Sequence, residues 1–241
     1  MVVGLPPLVG PFALGAIGCA AAAILIVVLL RHAPRALLAH DDGVLASGRG
    51  LFEMWRVPRA KVALITLAVA QTVMVMIMAM TPLHIRTHGH GLSSVGVVIS
   101  AHVFGMYGLS PVSGRLVDRI GATRVILCGF ATLVLATVIA AAAPQTAGIW
   151  LTAPLFLLGF GWSLSFVAGS ALLSHGLSYS DRARLQGGTD FVVWTAAAMA
   201  GLGSGVLVGS LGYATLCLVG ALLIAVPLAT VWSRRTALAM T

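Results

Sequence analysis

The chain has 241 residues, 59% of them apolar and only 8% charged, with a mean hydropathy of +1.05; soluble domains carry about 25% charged residues, so this chain cannot keep its surface in water. A formal charge of +8 does not mark a nucleic-acid binder, which needs Lys and Arg clustered on one solvated face, whereas these arginines sit in short gaps between long apolar runs. Cys19, Cys128 and Cys217 lie inside apolar runs without Cys-x-x-Cys or Cys-His spacing, against both a disulfide framework and zinc.

A bilayer core about 30 Å thick takes about 20 apolar residues in a helix. Such windows fall at 8–30, 61–80, 92–113, 123–143, 148–172, 187–208 and 212–232, which predicts an all-α membrane protein of seven transmembrane helices. The first run follows a neutral start and ends at Arg31, the charge order of an embedded helix with its N-terminus outside, not of a cleaved signal peptide. Breakers support the partition: Pro82 closes the second run, Gly89 and Gly91 precede the third, Pro144 follows the fourth, and Gly209 and Gly212 pinch the last two.

Lys and Arg stay on the cytoplasmic side. With the N-terminus outside, the inner connections hold Arg31 to Lys61, Arg115 to Arg124, Arg182 and Arg184, then Arg234 and Arg235, leaving only Arg86 of the 14 positive residues outside. The C-terminus is therefore expected in the cytoplasm. Four regions follow: a first helix, 1–31; a cytoplasmic linker, 32–60, with Pro34, Asp41, Asp42 and three glycines among its charges; a six-helix group, 61–232; and a cytoplasmic tail, 233–241. Within the group, 61–143 gives three spans starting inside and 148–232 three starting outside, the topology of inverted three-helix repeats.

The tightest cluster of chemistry runs from Gly114 to Arg124 between the third and fourth spans and is expected to be a two-turn crossover. There Gly114 would let helices approach, Gly121 would take a positive φ, and Asp118 would accept from arginines or a helix N-terminus. Gly114, Asp118, Arg119 and Gly121 match Gly-x-x-x-Asp-Arg-x-Gly, Ala122 and Thr123 depart from the basic tail, and Arg124 keeps one positive charge. This resembles the signature loop of the major facilitator superfamily, found there between spans two and three with a degenerate copy between spans eight and nine. The stretch Asp181 to Gly187 is similar to the arginine-and-glycine loop before span eleven. The resemblance implies spans six to twelve of a twelve-helix carrier, with Asp118 and Arg119 holding the cytoplasmic side closed.

Ionisable or polar groups inside spans are costly and are functional candidates. His102, about ten residues into the third span, and Gln71, Trp162 and Trp194 are candidates for a cavity or coupling site; for each, a packing role stands as the plainer alternative. Asp190 at the start of the sixth span, with Arg182 and Arg184, is read as a helix cap or gate. His84, His88 and His90 have no carboxylate or cysteine beside them, so no metal site or cofactor is expected.

No nucleophile elbow, paired carboxylates or His-Glu-x-x-His is present, so an enzyme is not expected. A retinal photoreceptor would need a lysine in the last helix, and the only lysine is Lys61. The resemblance leaves secondary transport of a small molecule by alternating access in the plasma membrane, with drug or metabolite efflux the commonest such role. The rival is a half-size protein that acts only with a separate N-terminal half or a second copy.

Overall fold

The computed structural model describes residues 9–31, 50–143 and 148–233. The chain divides into two compact units, Met1–Leu45 and Ala46–Thr241. The first contains α1 (Val9–Arg31), free of charge until its last residue. The second contains α2 (Leu51–Arg56), α3 (Pro58–Thr87), α4 (Leu92–Val103) running into a π-helical turn (Phe104–Gly108), α5 (Ser110–Ile120), α6 (Ala122–Ala142), a 3₁₀ turn (Gly148–Leu151), α7 (Thr152–Ser174), α8 (Tyr179–Leu223) and α9 (Ala225–Ser233). Among the described residues there is no strand, and five helical stretches are long and apolar enough to cross a membrane: Pro58–Thr87, Leu92–Ile120, Ala122–Ala142, Thr152–Ser174 and Ser180–Ser233.

Several boundaries differ from the sequence expectation. The helix does not stop at Pro82 but continues to Thr87. Proline removes one backbone donor, and in a membrane bundle a Ser or Thr and a neighbouring helix hold such a turn: Thr81 Oγ1 donates to the Ile77 carbonyl at 2.8 Å and lies 2.8 Å from the Tyr213 hydroxyl. The crossover around Asp118 is not two turns of loop. Helix α5 runs to Ile120 and α6 begins at Ala122, so the reversal falls on Gly121 alone, at φ 85°. The end of the linker is helical too, and α2 is tied to α8 by Trp55 Nε1 donating to Thr189 Oγ1 at 3.2 Å. Pro144, most of the linker and the tail lie outside the described residues.

The last apolar stretch is 54 residues long, about 80 Å at 1.5 Å per residue and far more than a bilayer of about 30 Å. It is broken at Gly212, whose φ of 82° and ψ of 169° are not helical. Gly201 lies against Val75 of α3, while Gly220 lies against Val73, Met76 and Ile77 of the same helix. Two positions so far apart in sequence reach one level of α3 only because the chain doubles back at Gly212.

Lipid tails are as apolar as leucine, so helices in a membrane associate through close packing and polar ties rather than hydrophobic exclusion. Helix α7 is the hub. On one side a β-carbon on Gly159 would collide with the His102 carbonyl, and one on Gly105 with the Phe156 carbonyl, so α7 meets α4 and the π turn backbone to backbone. On the other side a β-carbon on Gly161 would stand 2.9 Å from Leu133 N and 3.0 Å from Gly129 O, and one on Gly129 would collide with Ser165 Oγ. The hydroxyls of Ser113 on α5 and Ser163 on α7 add a buried bond of 3.1 Å.

Overpacking a tight contact costs about 1–3 kcal/mol. Gly159→Ala is therefore expected to lower the stability of the chain in detergent by that amount. Gly203→Ala, with nothing within 4 Å of the new methyl, is expected to be neutral or slightly stabilising. Thermal unfolding of the two variants side by side checks this; equal losses would contradict the grip on α7.

Candidate functional site

Of the four residues expected to line a cavity, the structure brings two into contact. Trp162 on α7 donates its indole N–H to Gln71 Oε1 on α3 at 2.7 Å. Because indole nitrogen only donates, the amide end facing it must be the oxygen, which settles the orientation of the glutamine. Its Nε2 is then the other end, buried and without a hydrogen-bond partner among the described residues. Gln71 is fully buried and Trp162 is 8% exposed. Burying an amide donor unpaired costs about 1–3 kcal/mol by protein measurements, and helix packing alone gives no return for it.

Two further rings, not singled out from the sequence, complete this cluster. Phe166 stacks on Trp162 with centroids 4.7 Å apart and planes 25° apart, one turn along the same helix. Tyr107 meets Trp162 edge to face at 6.0 Å and 72°, and at 61% exposed it carries the aromatic row to the protein surface. Tyr107 sits on the π turn Phe104–Gly108, a distortion frequent at functional sites. The stretch 102–108 is notable in sequence for its small residues, and nothing in it shows which helix Tyr107 would meet. The three segments involved, 62–85, 92–114 and 152–174, contain no Asp, Glu, Lys or Arg.

His102 stands apart from this pair. It is 1% exposed, and its Nδ1 lies 2.9 Å from the Leu155 carbonyl on α7. A carbonyl only accepts, so Nδ1 carries the proton and the ring ties α4 to α7 beside the Gly159 contact. Trp194 is also separate: it is 58% exposed and shares a shallow depression on α8 with Asp190, Phe191 and Met199.

Asp190 is not a helix cap. Helix α8 begins at Tyr179, with Ser178 as its N-cap accepting from Asp181 N at 3.2 Å, so Asp190 lies well inside the helix and accepts instead from Gln186 at 2.8 Å. Arg182 donates to the Ser174 carbonyl at 3.2 Å, closing the C-terminal end of α7, while Arg184 is exposed.

In the Gly114–Arg124 segment, Asp118, Arg119 and Arg124 are exposed. Gly114 does not serve close approach within this chain, since nothing lies within 4 Å of a β-carbon built on it. Asp118 falls in the last turn of α5, where the helix dipole disfavours a carboxylate, so the helix itself gains nothing from it. Near the other end of α3, His84 stacks on Tyr213 at 4.3 Å and 15° and contacts His88 at 4.4 Å. Among the described residues no group of three or more His, Cys, Asp or Glu could hold a metal ion.

His102 makes one bond, through Nδ1, while its Nε2 is buried without a partner among the described residues. Asparagine offers an amide N–H near the position of Nδ1, so His102→Asn is expected to keep the folded yield, whereas His102→Leu loses a bond of roughly 0.6–1.7 kcal/mol. Detergent stability of both variants checks this; an equal loss in the two would contradict the tie.

The family model described as Major Facilitator Superfamily matches residues 3–201 and, in a second alignment, 85–239. An uncharacterized MFS-type transporter of Bacillus subtilis strain 168, YdeG, is 37% identical over 242 residues, covering 96% of this chain and 56% of the relative. A second from the same organism, YddS, is 36% identical over 228 residues, covering 92% of this chain and 52% of the relative. The riboflavin transporter RfnT of Brucella anthropi is 27% identical over 190 residues, covering 79% and 47%. The chain thus spans about half the length of the curated relatives it matches. With apolar helices long enough to span a bilayer and a family match over most of its length, the chain belongs to the major facilitator superfamily.

Proposed function

We propose that this chain is the C-terminal part, spans six to twelve, of a secondary carrier that moves a small molecule through the plasma membrane by alternating access. The observation that carries the reading is the Gln71–Trp162 pair. It places a buried amide with an unpaired donor midway along two helices that cross the membrane, where a polar group is retained for function more readily than for stability. The reversal at Gly212 supports seven spans in all, six of them forming two inverted three-helix units, and the charge distribution supports an outer N-terminus and a cytoplasmic C-terminus.

A carrier of this kind closes around its cargo between two halves, and the open surfaces here match that need. Phe191, Trp194, Met199, Leu202 and Val206 are all exposed on α8, with the carboxylate of Asp190 among them, a mixture ill suited to lipid. We place against this face either an N-terminal half or a second copy, and without it the chain has no transport of its own. One relative is named a riboflavin transporter; from it we extend only that the cargo is a small organic molecule.

In the completed carrier, exposed Asp118 and Arg119, beside the uncrowded Gly114, hold the cytoplasmic side closed against the other half. Losing a charged hydrogen bond costs about 1.5–3 kcal/mol, roughly tenfold or more in the gating equilibrium. Asp118→Asn is therefore expected to slow transport about tenfold in membrane vesicles while leaving the amount of inserted protein unchanged. Unchanged transport kinetics would remove the gating role.

A further inference from the structure

The walls around Gln71 narrow what can bind there. Tyr107, Trp162 and Phe166 form a continuous row of rings, from one exposed at the surface to one half-buried inside, and flat apolar faces recognise flat partners by offset or edge-on stacking. Of the side chains of Gln71, Tyr107, Trp162 and Phe166, the buried polar atom without a partner among the described residues is the Gln71 amide nitrogen, which carries two N–H donors and no acceptor. The indole N–H is already given to Gln71 Oε1 at 2.7 Å, and the nearby hydroxyls of Ser113 and Ser163 satisfy each other at 3.1 Å. None of the three segments that build the cluster carries a formal charge.

From this we infer that the Gln71–Trp162–Tyr107 site takes an uncharged, planar, conjugated ring system bearing a carbonyl or ring-nitrogen acceptor, which stacks on the aromatic row and accepts from Gln71 Nε2. An anionic or cationic group would be desolvated there without a counter-charge. A sugar would bury several hydroxyls where one pair of donors is available. The inference rests on the reading that this cluster lines the cargo path, and it adds the class of cargo. Trp162 stands between exposed Tyr107 and the buried amide, so its ring gives way as the ligand enters.

The test is saturation-transfer NMR on the whole chain in lipid nanodiscs. Caffeine serves as the neutral planar probe with carbonyl acceptors, benzoate as a planar anion and glucose as a neutral non-planar solute. Caffeine is expected to bind saturably and the other two not to bind. Gln71→Leu is expected to weaken caffeine about tenfold, the effect of one lost hydrogen bond. Tyr107→Leu, at an exposed position that leaves the fold intact, is expected to weaken it at least fivefold. No saturable caffeine signal, or equal affinity in wild type and both variants, overturns the inference. Benzoate binding that Tyr107→Leu abolishes would overturn the cargo class while sparing the site. Benzoate binding indifferent to both substitutions would overturn the site as well.

Discussion

The structure depends on how closely α7 can be approached. Gly159 on one side and Gly161 on the other remove the side chains that would keep α4 and α6 at ordinary distance, and Gly105 and Gly129 answer them across each contact. In lipid, where burial of apolar surface between helices gains little over lipid contact, this backbone-level packing is the main source of order. It also sets the level of everything α7 carries. Trp162 lies next to Gly161 in sequence, so the glycine that admits α6 fixes the height and rotation at which the indole meets Gln71 of α3.

The same grip explains why the candidate site is precise despite being made of so few polar groups. The π turn that carries Tyr107 follows directly on the helix that Gly159 admits, and the His102 bond to the Leu155 carbonyl holds that helix in register. Tyr107 and Gln71 thus reach Trp162 from two different elements because α7 is clamped between them. A rigid frame keeps the buried Gln71 Nε2 amide from finding a protein partner and cancelling itself.

Much of the architecture was legible because a bilayer imposes one length scale. The apolar runs, the charges between them and the positive φ of Gly121 followed from that scale and from glycine's freedom, and the pinch at Gly212 proved to be the point of reversal. Pro82 misled because a proline near a helix end removes only one backbone donor, while Thr81 ties that turn to Tyr213. Asp190 misled because the polar first turns of α8, opened by the Ser178 cap, do not read as membrane helix by hydropathy. In the site, Gln71 and Trp162 stood out as polar groups within apolar runs, but their partnership, and the part of Tyr107, depend on helix rotation, which a single sequence does not encode. The same holds for His102, conspicuous in the sequence and a tie between helices in the structure.

That the Tyr107–Trp162 cluster lies on a path opened alternately to the two sides is our proposal, and thiol accessibility tests it. A carrier completed by an N-terminal half, with Cys19, Cys128 and Cys217 replaced by serine and Tyr107 by cysteine, would be treated with a membrane-impermeant thiol reagent in right-side-out and inverted vesicles. Modification is expected from both sides at position 107 and none at a cysteine placed at Val98, which is fully buried. Modification from one side only, or equal silence at both positions, would contradict it.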